Sequence, residues 1–403
     1  MDQSPSWICC QLGAREHYAI PRALHQAHQL HRLITDAWVA PGSMLPRLPG
    51  KPWRSLGDRY HPDLATAPIT AFTQGLLRFE LQQRLQKTAP WPRMIARNQW
   101  FQRRAIQALE QIPTQTDSPP VFFTYSYAAL DLLRYAKQRG WTTVLGQIDP
   151  GLMEEKIVMA EHQRYPHLAP HWQPVPSSYW DLWHQECDLA DQIVVNSRWS
   201  QQLLTQAGID PAKIKIVPLV YHPPAQATPF NRTYPATFTP DRPLRVLFLG
   251  LVTLRKGIAA CLEAIEQLTG EPVEFWFVGP LEIEIPAPLR DHPQVRWVGP
   301  VPRSQTAHYY QQADVFLFPT LSDGFGLTQL EAQAWGLPII ASQFCGEVVQ
   351  PGKNGVVLKA VTGVEISSAL MDIVNHAEQL QQWAHFLNGL REENSIIQYL
   401  RAY

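Results

Sequence analysis

Short apolar runs alternate with amphipathic stretches along both halves of the chain. In the first half, "WICCQL" precedes a helical pattern around "IPRALHQAHQL", and "LITDAWV" follows. Further on come "VFFTYS", the helical "ALDLLRYAKQRG", "TTVLGQI", "QIVVNS", the helical "SQQLLTQAG" and "KIKIVPLVY". Strand-length runs alternating with helical periods predict a parallel sheet covered by helices on both faces. Residues 222–243, "HPPAQATPFNRTYPATFTPDRP", are proline-rich and lack apolar periodicity, which predicts a linker. A second alternation then begins: "LRVLFLG", a helix to Leu268, "VEFWFVG", "VRWVG", "DVFLFP" and "PIIAS". The pattern thus predicts two α/β domains, residues 1–221 and 244–385. Open parallel sheets bind ligands beyond the carboxyl ends of their strands, so the cleft between the domains is the expected site.

Composition narrows this picture. At 403 residues the chain can bury two cores, and 45% hydrophobic with 17% charged residues fits a globular protein. A net charge of −1 gives no electrostatic reason to expect nucleic acid. The five cysteines show no metal or disulfide spacing and read as reduced, buried thiols. The N-terminal stretch lacks a secretory pattern and no apolar run reaches spanning length. A cytoplasmic location is expected.

Two stretches carry candidate chemistry. In "LRVLFLGLVTLRKGIAACLEAIEQL" a strand ends at Gly250, and Arg255 and Lys256 lead into a helix. A helix N-terminus already carries about half a positive charge, so two cations there call for an anion between them. A phosphate held by free backbone amides and Lys256 would serve. A solvated basic turn is the alternative. In "SDGFGLTQLEAQAWGLPIIAS", Gly324 and Gly326 leave backbone free for close approach to a ligand, ahead of a helix starting near Leu327. Asp323 precedes that helix. Glu331 lies one turn inside it, where a carboxylate can accept two hydrogen bonds from a vicinal diol such as ribose. An ordinary glycine turn before an acidic helix is the alternative here.

"ADVFLFPTLSDGFGLTQLEAQAWGLPIIAS" resembles the signature segment of retaining glycosyltransferases of family four. Such enzymes have the GT-B fold, two Rossmann-like parallel-sheet domains facing across a cleft. Their usual E-x7-E motif is D-x7-E here, from Asp323 to Glu331. The resemblance runs from "LRVLFLG" to "PIIAS" and more loosely back to "ADQIVVNSRWS". It implies that Glu331 holds the ribose of a nucleotide-sugar donor, and that Lys256 and the backbone near Gly250 hold the diphosphate. Asp323 and the amides of Phe325, Gly326 and Leu327 would face the sugar. It also implies that residues 386–403 form a helical segment returning to the first domain. Two positions depart from the family pattern. Leu251 replaces an arginine, for which Arg255 is the candidate substitute, and Asp323 is one methylene shorter than the usual Glu. These departures leave a catalytically weakened nucleotide-sugar-binding protein as the alternative function. No cofactor or metal is expected, because Lys256, Arg255 and two helix N-termini can stabilise the leaving phosphate.

The first domain is then expected to hold the acceptor. Gly13 and His17 lie in the loop after the first strand, although His17 also reads as a surface histidine. Tyr125, Tyr127, Gln147 and Asp149 end two middle strands, and Asp149 also reads as a turn initiator before Pro-Gly. Residues 68–111 predict two helices around Trp91-Pro92. Between Arg78 and Arg104 the single acidic residue is Glu80, opposed by Arg84, Lys87, Arg93, Arg97 and Arg103 as well. Such a surface suits peripheral contact with an anionic membrane, or a packed helix pair with a solvated basic face.

Overall fold

The computed structural model describes residues 5–43, 56–57, 59–112, 119–221, 227, 230–389 and 396. Its first domain opens with β1 (Trp7–Gln11), α1 (Ala19–Gln26), β2 (Leu30–Thr35) and the short β3 (Ile69–Ala71). Helices α2 (Thr73–Leu85) and α3 (Pro90–Leu109) lead to β4 (Val121–Tyr125). Next come α4 (Leu130–Gln138), β5 (Thr142–Gln147), α5 (Leu152–Arg164) and α6 (Ser177–Leu189). The domain ends with β6 (Gln192–Val195), α7 (Arg198–Gln206) and β7 (Ile214–Ile216).

In the second domain β8 (Leu244–Leu249), α8 (Ile258–Gln267) and β9 (Val273–Val278) come first. The short α9 (Ala287–Arg290), β10 (Val295–Gly299), α10 (Thr306–Gln312) and β11 (Val315–Phe318) follow. Then come α11 (Leu327–Ala334), β12 (Ile339–Ser342), β13 (Gly355–Leu358), α12 (Gly363–Asn375) and α13 (Glu378–Gly389).

The first sheet runs β3-β2-β1-β4-β5-β6-β7 and the second β10-β9-β8-β11-β12-β13. Every pairing within them is parallel. Strand order reverses between β1 and β4 in one sheet and between β8 and β11 in the other. At such switch points the adjoining loops leave in opposite directions and open a crevice. Gly13 and Tyr125 flank the first crevice; Gly250 and Asp323 flank the second.

Each sheet has an apolar cluster on either face. The strands are buried on both faces, which explains their unbroken apolar runs. Helix α3 buries Phe101, Ala105 and Leu109 in the first core, so the basic helix pair is packed as well as charged. On α6, Trp183 is buried and Glu186 accepts the backbone amides of Tyr127, Ala129 and Leu130. That carboxylate satisfies the open N-terminus of α4 from outside its own chain segment. All five cysteines are buried and free.

Part of the predicted linker, residues 222–226 and 228–229, lies outside the described residues. The remainder packs on the second domain. Arg232 is buried there and donates to the carbonyls of Ala313, Tyr310 and Trp335. The predicted C-terminal return, 386–403, lies outside the described residues beyond 389 except for Ile396, which is buried in the first domain's core.

Candidate active site

Leu254–Lys256 form one turn of 3-10 helix, with the Thr253 hydroxyl accepting the Lys256 amide at 3.4 Å. Gly257 follows at φ 76°, and a Cβ there would lie 1.9 Å from the Pro319 carbonyl oxygen. Lys256 therefore precedes α8 on a separate turn rather than sitting in its first turn. The anion that the two cations called for is supplied by the protein itself. Lys256 Nζ ion-pairs with Asp323, and Arg255 Nη1 lies 3.5 Å from the same carboxylate oxygen. Arg255 also donates to the Ser322 carbonyl at 3.0 Å and stands 3.6 Å from Glu154 of the first domain. The Lys256 ammonium rests 4.8 Å above the centre of the Phe318 ring. Burial alone would raise the Asp323 carboxyl, but Lys256 and Arg255 hold it below its usual value. Burial likewise lowers Lys256, against the pull of Asp323.

The glycines after Asp323 divide their work differently from the sequence expectation. A Cβ on Gly324 would lie 1.8 Å from the Ile148 carbonyl oxygen. The space it leaves open is filled by the first domain, not held for a ligand. The Phe325 amide points back at Asp323 Oδ1, 3.4 Å away, rather than outward. Gly326 adopts φ 89° as the N-cap of α11. Leu327 begins that helix; the Gln329 amide donates to the Gly326 carbonyl at 3.0 Å, so the Leu327 and Thr328 amides are the ones ahead of the first intrahelical bond that can face an anion. One turn in, Glu331 accepts from the Tyr310 hydroxyl at 2.8 Å and lies 3.9 Å from Arg303. Burial raises its carboxyl above the usual value, opposed by Tyr310 and Arg303.

Gly250 ends β8 at φ 144°, its amide donating to Val278 at 2.9 Å. Its carbonyl lies against Gly279, where a Cβ would approach within 1.8 Å. Leu251 lines a neighbouring cavity together with Arg255.

In the first domain, Gly13 at φ 89° donates its amide to the buried Asp36 at 2.9 Å. Glu16, His17 and Tyr18 then follow with φ 50°, 54° and 60°, three successive non-glycine residues in left-handed conformation. Such residues cost about 1–3 kcal/mol each and persist only where contacts hold them. Glu16 provides those contacts, accepting from Tyr125 at 2.8 Å and from Asn196. His17 is not a free surface histidine: Arg303 donates to its Nδ1 at 3.0 Å across the cleft. Burial, with Arg303 nearby, pushes the imidazole down to about 4, so it stays neutral at ordinary pH. Asp149 accepts the Gly151 amide at 3.0 Å, as a turn initiator does, and also takes Tyr127 and Gln147.

The geometry thus forms two groups. Lys256, Arg255 and Asp323 meet Glu154 across the domain boundary, while Glu331, Arg303 and His17 form a second bridge. Glu16, Glu154, Arg303 and Tyr310 escaped sequence reasoning. Glu154 sits in the first turn of α5, where an acidic residue ordinarily serves the helix dipole. "GPVPRSQ" offered a cation after β10, but only three-dimensional proximity connects it to Glu331.

A cavity of about 650 Å³ is lined by Glu154, Asp149, Arg255, Leu251 and several aromatic rings, including Tyr179 and Trp172. Another, of about 820 Å³, opens between α2, α3 and the end of β4. The first reaches the ion-paired cluster through Arg255 and Glu154; neither is lined by Lys256, Asp323 or Glu331.

Glu154 Oε2 is buried without a hydrogen-bond partner, and burial pushes this carboxyl up to about 8. The folded state therefore keeps a proton that the unfolded chain releases near 4.5. Stability from this group is complete below about pH 4.5 and is lost as pH rises to 8. Glu154→Gln should flatten the fall in melting temperature between about pH 5 and pH 8 relative to the parent. Parallel slopes would mean that Glu154 is charged in the folded protein.

Residues 243–376 match the family model "Glycosyl transferases group 1". A D-inositol 3-phosphate glycosyltransferase of Nocardia farcinica is 26% identical over 242 residues, 51% of this chain and 52% of that protein. The amylovoran biosynthesis glycosyltransferase AmsK of Erwinia amylovora is 27% identical over 270 residues, 62% of this chain and 60% of its own. The chain spans about half the length of the curated relatives it matches. Among solved structures, Anabaena HepE in complex with UDP aligns over 98% of both chains with TM-score 0.60 and 13% identity. The catalytic domain of starch synthase IV from Arabidopsis thaliana, bound to ADP and acarbose, aligns over 99% of this chain and 98% of its own, with TM-score 0.64 and 13% identity. At such identities the structures establish the fold. The two parallel sheets thus have the GT-B arrangement, and residues 243–376 of the second are similar to group 1 glycosyl transferases.

Proposed function

We propose that this protein transfers a sugar from a nucleotide-sugar donor to an acceptor held by the first domain, with retention of configuration and without a metal ion. The observation that carries this reading is the Lys256–Arg255–Asp323 cluster at the crevice between β8 and β11, with Glu331 on the adjoining helix. A donor diphosphate arriving there competes with Asp323 for Lys256. Once released, the Asp323 carboxylate can accept from the sugar hydroxyls while Lys256 and Arg255 hold the phosphates. Glu331, already oriented by Tyr310, receives the ribose.

In the transfer, the bond from the anomeric carbon to the phosphate oxygen breaks and its electrons pass to the diphosphate. The acceptor oxygen bonds to that carbon on the same face and gives its proton to the leaving phosphate. Negative charge grows where Lys256, Arg255 and the α11 amides already point, which is electrostatic preorganisation. The complexes of Anabaena HepE with UDP and with UDP-glucose support a nucleotide-sugar donor.

The test is a donor screen following nucleoside diphosphate release, with and without candidate acceptors and with EDTA present. Acceptor-dependent release unaffected by EDTA is expected. Donor binding without release under any acceptor would instead favour a nucleotide-sugar sensor.

Contact with a membrane surface is part of this reading. No helix among the described residues is long and apolar enough to cross a membrane. However, Arg78, Arg84, Arg103 and Arg104 are exposed on α2 and α3. The protein should co-sediment with anionic liposomes and come off as salt rises past about 0.15 M. Equal recovery with neutral lipid, or none, would remove the membrane from the proposal.

A further inference from the structure

The 820 Å³ cavity of the first domain combines two chemistries that proteins usually keep apart. Its walls carry six arginines: Arg15, Arg59, Arg78, Arg84, Arg93 and Arg97. Three of these are ion-paired, sharing two carboxylates. Arg59 and Arg97 ion-pair with the buried Asp36, and Arg93 with Glu80. Arg15, Arg78 and Arg84 have no ion-pair partner among the described residues, so the cavity keeps a net positive lining.

Between the arginines the surface is aliphatic. Leu76, Leu77 and Phe101 form its floor, and Leu81 and Met94 stand at its rim, 60% and 39% exposed. Only six large apolar side chains are strongly exposed among the described residues, and three of them, Leu81, Leu85 and Met94, belong to α2 and the start of α3. Exposed aliphatic groups concentrated on a cationic surface mark a binding site rather than scattered surface residues.

The inner end is polar. Thr124, Tyr125 and Ser126 line it, at the carboxyl end of β4 beside the first domain's crevice. Ser126 is 2% exposed, and its hydroxyl has no hydrogen-bond partner. A buried hydroxyl left unpaired costs about 1–3 kcal/mol, a cost that a ligand at this end would remove.

We propose that this cavity binds a phosphate-bearing amphiphile: its anionic head among Arg15, Arg78 and Arg84, and its aliphatic chain along Leu77, Leu81 and Met94. That this amphiphile is the sugar acceptor rests on the transferase reading above; that it binds does not. Free phosphate satisfies the arginines alone and a neutral alkyl chain the leucines alone. A molecule carrying both gains from both.

Three probes separate these cases by calorimetry on the full chain: decyl phosphate below its micelle concentration, inorganic phosphate, and decyl maltoside. Decyl phosphate should bind at least about tenfold more tightly than either of the others. Arg78→Ala and Arg84→Ala, both at exposed positions, should each weaken it about tenfold without changing UDP affinity. Leu81→Asn should weaken decyl phosphate and leave inorganic phosphate as it was.

Inorganic phosphate binding as tightly would make this a simple anion site and overturn the proposal. So would decyl maltoside binding as tightly, or arginine variants with unchanged affinity. A UDP titration in the same samples reports on the donor site separately. Loss of UDP binding with decyl phosphate intact would count against the transferase reading alone.

Discussion

Lys256→Ala is expected to lower turnover by about a hundredfold or more, in line with removing one donor that stabilises charge developing in a transition state. The charge it balances grows as the glycosidic bond breaks, so the loss should fall on kcat as well as on donor affinity. The structure adds a complication. Lys256 is the nearest partner of Asp323, and removing one member of a partly buried ion pair is destabilising. Arg255, 3.5 Å from the same oxygen, softens that cost without abolishing it. The melting temperature should therefore fall together with turnover in the single variant. Adding Asp323→Asn should restore the melting temperature and leave turnover well below that of Asp323→Asn alone. A double variant turning over as fast as Asp323→Asn alone would place Lys256 in the fold rather than in the chemistry, and the donor-site assignment would have to be given up.

The second large effect is expected at Glu331. Replacement with alanine removes a half-buried carboxylate whose Oε2 is already engaged by Tyr310, leaving Oε1 for a ligand hydroxyl. Hydrogen bonds to charged groups contribute about 1.5–3 kcal/mol, so nucleotide-sugar affinity should fall by roughly thirtyfold. The variant also strands Arg303 without its carboxylate, which is 55% exposed and can be solvated instead. Calorimetry on a folded Glu331→Ala protein with unchanged affinity would remove Glu331 from the donor site.

Period and composition were enough to reveal the two sheets, because strands buried on both faces must be continuously apolar. The residues around Asp323 and Glu331 were legible for a related reason: glycines, a carboxylate and a helix start lie within one short stretch. What could not be read were the partners brought in from elsewhere. Lys256 and Asp323 are 67 positions apart, and nothing local in either stretch says that one neutralises the other. The same holds for Glu16 with Asn196 and for Arg303 with His17, where each residue alone reads as an ordinary polar side chain. Gly324 shows the limit most clearly. Its type was informative, but the object approaching its backbone was the opposite domain.

That contact has a thermodynamic reach. Because Ile148 lies where a side chain of residue 324 would project, the path of the Asp323 loop depends on how closely the two sheets approach. Ser200 and Trp199 of α7 tie the same loop through the Gly324 carbonyl and the Ser322 hydroxyl. Any rotation that parts the domains withdraws these supports from the residue proposed to meet the sugar. Donor affinity and interdomain angle are then linked functions, and linkage is reciprocal. Whatever factor by which closure tightens the donor, the donor must favour closure by that same factor. An acceptor seated on the first domain could thus raise donor affinity without touching the donor at all.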